Sequence, residues 1–380
     1  VSSGVQILVG TRKAAFIYSA DRARAQWTLS EPMLSGWTIH HMSADTRCDP
    51  PMLYAGAKHA VWGPTIARSS DGGETWDQRT TGLRFPEDMK TSIDAVWNVV
   101  PGHPSQPGVV YAGVAPAGLF RSDDWGASWE PVDALNRHEY RAFWQPIAGG
   151  PIDGGPPVQS IEIDPRDPDH MYVAVSGALV TLDGGKRWRI FSHRVRSESM
   201  QAKMFVSQAA SQVPPGIDPA AAHDMHKLVI DVKNPDRLWT QAHLGVFRSD
   251  DGGRSWADVT DGLPSHHGFP IAVTRRSPDA AYVVPLETGL GNFRACQGQF
   301  AVYRTTDAGA TWDRLTNGLP GPGNYQSVYR EGMDTDGLDP EGVYVGTSNG
   351  LTYCSLDGGD HWQQLSGMLP PILSVSCFTQ

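Results

Sequence analysis

Ser69-Ser70-Asp71-Gly72-Gly73-Glu74-Thr75-Trp76 decides the fold, because versions of it return along the whole chain. The clearest are Ser122-Asp123-Asp124-Trp125-Gly126-Ala127-Ser128-Trp129, Thr181-Leu182-Asp183-Gly184-Gly185-Lys186-Arg187-Trp188 and Ser249-Asp250-Asp251-Gly252-Gly253-Arg254-Ser255-Trp256. Two more are Thr305-Thr306-Asp307-Ala308-Gly309-Ala310-Thr311-Trp312 and Ser355-Leu356-Asp357-Gly358-Gly359-Asp360-His361-Trp362. A worn seventh copy is Ser19-Ala20-Asp21 with Trp27. Between successive Asp residues the spacings are 50, 53, 59, 68, 56 and 50. Periods of this size mean solenoids, propellers or arrays.

The flanks choose among these. Each copy follows a strand-like run such as Gly245-Val246-Phe247-Arg248. A second run lies upstream, as in Met52-Leu53-Tyr54-Ala55-Gly56, and a third before it, as in Lys227-Leu228-Val229-Ile230. The Trp opens a fourth. Four short strands per unit with no helical periodicity predict an all-β, seven-bladed β-propeller filling residues 1–380 as one domain. Gly4-Val5-Gln6-Ile7-Leu8-Val9 matches a second strand, and Ile372-Leu373-Ser374-Val375-Ser376-Cys377 matches a first. The C-terminal strand is therefore expected to close the ring and remove its open edges. In each turn Gly permits positive φ, while Asp and Ser/Thr bond local backbone groups. Seven copies of one Asp cannot all line one active site, so they read as structural.

Composition narrows the function. Gly 41 and Pro 29 in 380 residues signal many turns. Lys+Arg 31 against Asp+Glu 41 gives a net charge of −10, which disfavours nucleic acid. No apolar run is long enough to span a bilayer, so no membrane role is expected. Four Cys without a CxxC pair make no disulfide framework. There is no P-loop, dinucleotide fingerprint or GxSxG elbow, hence no nucleotide cofactor is expected. Val1 leads into a strand-length run without a basic n-region, so a cytoplasmic location is the expectation, with a leader removed ahead of Val1 as the alternative.

The repeated turns resemble the bacterial neuraminidase (BNR) repeat, or Asp-box. Their spacing is similar to that of sialidase-type propellers, xyloglucanases, the sortilin ectodomain and the photosystem II assembly-factor propeller. The chain is most similar to single-domain bacterial BNR-repeat propellers. That resemblance covers essentially the whole chain and is specific for fold, much less so for function. A true sialidase is not expected. Sialidases use three Arg, a Tyr–Glu pair and an acid Asp, with an Arg-Ile-Pro motif near the first strand. Here Gly10-Thr11-Arg12-Lys13-Ala14-Ala15-Phe16 lacks that motif, and only Arg141, Arg294 and Arg330 are candidates on the relevant face.

Candidate chemistry gathers on the face opposite the repeated turns, called the upper face below. His40 and His41 open one first strand, and His223 and His226 open another three blades later. His59 and His243 fall in the following loops of those blades, and His138, His266 and His267 also map to this face. His41, His226, His243 and His59 are candidate ligands for Zn, Cu, Fe or Mn. A metal-free pocket and scattered structural histidines are the alternatives. His226, Asp224, Arg330 and Glu331 are candidate catalytic groups. Trp62, Trp97, Trp144, Gln159, Gln326, His40 and His223 are candidate substrate contacts, aromatic faces being suited to sugar rings. In the similar bacterial propellers the Gln159 position often carries His, which weakens the metal case. Glu287, Asp224 and Glu331 are upper-face carboxylates for a glycosidase alternative. Two long insertions, near 132–157 and 190–223, feed the same face and suit a lid or wall.

These features favour a metal-assisted hydrolase or lyase acting on a small polar or glycan-like ligand. The alternatives are a non-catalytic scaffold holding a protein partner and a glycoside hydrolase.

Overall fold

The computed structural model describes residues 4–78, 80–144, 155–175, 177–190, 195–196, 224–287 and 293–380. Among them the strands form seven separate, mainly antiparallel sheets. Ile372–Thr379 is the innermost strand of blade 1, followed outward by Gly4–Thr11, Ala15–Asp21 and Thr28–Leu29. The closing register runs from Val5 opposite Thr379 to Thr11 opposite Ile372. The ring is thus closed by the C-terminal strand, as the sequence matching predicts.

The other first strands, in order, are Thr38–Asp45, Ala95–Pro101, Ser160–Ile163, Met225–Ile230, Gly268–Val273 and Met333–Thr335. Blade 2 has three full strands, and its fourth shrinks to the bridge between Arg68 and Asp77. Blade 5 gains an extra outer strand, Val195–Arg196, which runs parallel to Trp256–Asp258. The remainder of the 190–223 insertion and residues 145–154 lie outside the described residues. The described start of the first insertion is a helical turn, Asp133–Asn136, whose buried Asn136 amide brackets the Leu119 backbone from both sides. No described helix is long and apolar enough to cross a membrane.

Six of the repeated turns share one hydrogen-bond pattern. In blade 5, Ser249 Oγ donates to Asp251 Oδ1 at 2.8 Å and accepts the Gly253 N–H at 2.8 Å. Asp251 also accepts the Ser255 N–H and hydroxyl at 2.9 and 2.6 Å. The Ser or Thr relay and the Asp bond to the residue four places on recur at Asp71, Asp124, Asp183, Asp307 and Asp357. Gly253 sits at φ 83°, where a side chain would strain the turn. The worn copy departs from this, since Asp21 Oδ1 accepts the N–H of Arg24, a residue at φ 54°.

The turn tryptophans build the core. Among the described residues seven apolar clusters lie between neighbouring blades, and each contains one of them. Trp129 packs with Tyr54 and Val96, Trp188 with Tyr111 and Leu179, and Trp256 with Tyr172 and Phe247. Trp362, Trp312, Trp76 and Trp27 occupy the corresponding places elsewhere. Each ring therefore fastens its turn against the preceding blade as well as its own. Burying such a ring removes roughly 150–250 Å² from water, on the order of 4–6 kcal/mol before entropy. Second strands carry the partner aromatic, and its hydroxyl can cap the next turn, as Tyr282 Oη does on the Gly358 carbonyl at 3.0 Å.

The first strands leave a central channel. Its part toward the turn face is a cavity of about 490 Å³, lined by His41, Glu162, Lys227, Glu331 and apolar residues such as Ile271 and Val375. Lys227 Nζ and Glu331 Oε2 pair at 2.9 Å inside it.

Candidate functional site at the upper mouth of the channel

Blade 5 supplies the centre of the site. Asp224 and His226 stand at the start of its first strand, and His243 in the turn between its second and third. The His243 N–H donates to the Asp224 carbonyl at 2.9 Å, which ties that turn to the strand start. Blade 6 adds His267 and Phe269 at the start of its own first strand, where a register shift between Gly268 and Ile271 breaks the regular pairing.

The three imidazoles converge. One ligand nitrogen from each of His226, His243 and His267 lies within 4.8 Å of the others. Their ring centroids are 4.9 to 5.6 Å apart. Phe269 walls the group at 4.9 Å from the His226 ring, and Phe293 stacks on His267 at 4.9 Å.

Protons in this cluster are constrained. His226 Nδ1 lies 2.6 Å from the Gly268 carbonyl, which can only accept, so Nδ1 carries a hydrogen. His226 Nε2 then faces Asp224 Oδ2 at 3.3 Å. Two lone pairs cannot face each other there without cost, so Nε2 carries a second proton or shares a cation with the carboxylate. Among the described residues neither ring nitrogen of His267, a side chain only 4% exposed, has a partner of ordinary hydrogen-bond geometry. Burial, then His226 and His243, push His267 down to about 3, so it is a neutral donor of a lone pair. Burial and His226 also lower His243. Burial would raise the Asp224 carboxyl, but His226, Arg330 and Gln159 more than offset it and hold it well below the usual carboxylate range.

Arg330 completes the mouth from blade 7. Its Nε donates to Gln159 Oε1 of blade 4 at 2.6 Å, and the Gln159 amide donates to Asp224 Oδ1 at 2.8 Å. Its guanidinium lies over the Phe269 ring at 4.6 Å. Four blades thus meet in one polar network. Three converging imidazoles, one of them with both nitrogens buried and without a partner of ordinary hydrogen-bond geometry among the described residues, suit a divalent transition metal. The His226 Nδ1–H bond to a carbonyl is the outer contact that orients such a ligand.

The remaining candidates fall elsewhere. Glu331 turns into the channel, where it pairs with Lys227, although it adjoins Arg330 in the chain. His41 accepts the Val99 N–H through Nδ1 and lines the lower cavity rather than joining the trio. His59 Nδ1 accepts the N–H groups of Val61 and Trp62 on the outer loop of blade 2, so it too stands outside the trio. Trp62 is 76% exposed beside it. His40 stacks on Trp97 at 5.2 Å, and burial pushes it down to about 4. Gln326 is buried with its amide unpartnered and makes none of the described bonds that join Gln159, Asp224 and Arg330. Trp144 ends the turn Glu139–Trp144, and His223 lies outside the described residues. His267 was visible in the sequence as an upper-face histidine. In the structure it stands just ahead of the register shift at Gly268, with its ring 4.9 Å from that of His226.

No family model matches the chain. It is 25% identical over 219 residues to the oligoxyloglucan-reducing end-specific xyloglucanase of Emericella nidulans, covering 53% of this chain and 26% of that protein. It is 24% identical over 288 residues to a xyloglucanase of Paenibacillus sp, covering 70% and 25%. The chain thus spans about a quarter of the length of these curated relatives. The photosystem II assembly lipoprotein Ycf48 of Synechococcus sp. is 24% identical over 253 residues, covering 53% of this chain and 74% of that one. Among solved structures, an ancestral GH74 enzyme superposes with a TM-score of 0.54 at 14% identity, over 90% of this chain and 38% of its own. Ycf48 from Cyanidioschyzon merolae gives 0.50 at 14% identity, over 87% and 88%. These structural likenesses show the fold alone.

Proposed function

We propose that this propeller is an enzyme of the hydrolase or lyase type, with its site at the upper mouth of the channel. His226, His243 and His267 would hold a divalent transition metal there, Zn, Cu, Fe or Mn, and the substrate would be a small polar or sugar-like molecule. The carrying observation is the convergence of the three imidazoles beside Asp224 and Arg330, with neither nitrogen of buried His267 in a hydrogen bond of ordinary geometry among the described residues. A metal so held polarises a carbonyl or lowers the pKa of water. Asp224, kept ionised beside His226, would orient that ring and add negative charge beside the metal, and Phe269 and Phe293 restrict water on one side.

The glycosidase alternative draws on the xyloglucanase relatives. It needs a protonated acid at the mouth. Asp224 is held ionised, Glu287 pairs with Arg294 at 3.0 Å and Glu331 with Lys227, so the geometry supports it less. A scaffold reading is favoured by one observation, the exposed Val61–Trp62 tip, alongside the likeness to Ycf48.

The test is metal content by mass spectrometry on protein purified without chelator or His-tag. Near-stoichiometric metal, lost in His243→Ala and His267→Ala, is the expected result. A metal-free protein would overturn the metalloenzyme reading and leave the scaffold reading in front.

A further inference from the structure

Arg330 is built in a way that the metal reading does not use. Its Nε is committed to Gln159, and its flat face is covered by Phe269. Its two terminal nitrogens make no hydrogen bond among the described residues. Those nitrogens form the end of the guanidinium fork that matches two oxygens at once. Phe269 places that fork beside the trio, since the same ring lies 4.9 Å from His226 and 5.1 Å from His267.

Charge points the same way. Arg330 and Asp224 carry opposite charges, and three imidazoles acting as ligands are neutral. A divalent ion would leave the mouth with two surplus positive charges in a partly desolvated setting, where an anion is strongly favoured. A planar fork with one edge already occupied suits a carboxylate, which has two coplanar oxygens and a single charge.

Resting on the metal reading of this mouth, we infer that the substrate is a small hydroxy or oxo acid. Its carboxylate pairs with the terminal nitrogens of Arg330, and its hydroxyl or carbonyl reaches the three histidines. Arg330 is the specificity-determining residue, and Gln159 positions it. Neutral sugars and polyols lack the group this fork receives.

The experiment loads the full chain with Co(II) and follows the visible spectrum during titration with glycolate, with ethylene glycol as the uncharged counterpart. Glycolate is expected to shift the spectrum saturably and ethylene glycol is not. Arg330→Gln should weaken glycolate at least tenfold at unchanged cobalt stoichiometry, and Arg330→Lys should recover part of the affinity. Thermal midpoints of both variants control for folding. An equal response to ethylene glycol, or undiminished glycolate binding by Arg330→Gln, would overturn the inference while leaving the metal site intact. If the protein takes up no cobalt, the metal reading fails on its own. Glycolate binding to the metal-free protein, followed by NMR, then decides the role of Arg330: loss in Arg330→Gln supports it, and no dependence on Arg330 overturns it.

Discussion

Arg330 Nε and Gln159 Oε1 meet at 2.6 Å although their side chains come from blades 7 and 4. Removing the acceptor leaves a half-buried cation without its side-chain anchor. Gln159→Leu should therefore cost about 1–3 kcal/mol of stability. It should also weaken glycolate binding in parallel with Arg330→Gln. Urea denaturation and the cobalt titration check the two effects separately.

Glu162 gives the channel a pH signature. Burial pushes its carboxyl up to about 8, against partial relief from the Ile230 N–H and Lys227, while Glu331 and Asp334 push it further. The folded protein thus holds this proton more tightly than the unfolded chain, whose carboxyl titrates near 4.5. The resulting stability is fully present below that lower value and is lost as pH rises through about 8. Melting temperatures should fall between pH 5 and 8 by an amount equivalent to a few kcal/mol. Glu162→Gln should flatten that slope. An unchanged slope in the variant would show that another group carries it.

Blade 1 replaces the regular turn pattern with a buried ion pair. Arg24 Nη1 donates to Asp336 Oδ2 at 2.7 Å, with the side chains 3% and 0% exposed. Asp336 also receives the Tyr344 hydroxyl and the N–H groups of Leu338 and Gly342. Arg24→Met should destabilise by about 3–5 kcal/mol, because it strands a buried carboxylate. Adding Asp336→Asn should recover part of that loss, as read by chemical denaturation.

The regular turns make a contrasting prediction. Asp251→Ala removes three hydrogen bonds and should lower stability by about 1–2 kcal/mol. Asp21→Ala should matter less, since the Asp21 carboxylate accepts only the Arg24 N–H among the described bonds. Thermal unfolding of the two variants side by side checks the ranking.

The legible part of this protein is the part that repeats. A turn copied along the chain carries its own spacing, so blade number and ring closure could be read without coordinates. His226, His243 and Asp224 were also readable, because each is adjacent to a repeated strand. His267 and the Arg330–Gln159 contact were not, for different reasons. His267 stands just ahead of a first-strand register shift of a kind that blades 2, 3 and 5 also carry, so the sequence pattern alone does not single out its histidine. Arg330 and Gln159 meet only because the ring curves, which brings residues 159 and 330 together with no local signal. His41 and His59 occupy equivalent-looking places, yet His41 turns into the lower cavity and His59 folds back onto its own loop.

Among the described residues blade 1 alone joins the two ends of the sequence, pairing Val5 with Thr379. That pairing has the largest loop-closure entropy in the molecule, and long-range contacts of this kind form slowly. Until it forms, Gly4–Thr11 and Ile372–Thr379 each present a bare strand edge. Two half-finished rings in a concentrated solution can satisfy each other by exchanging these strands, which makes a swapped dimer the natural misassembly of this architecture.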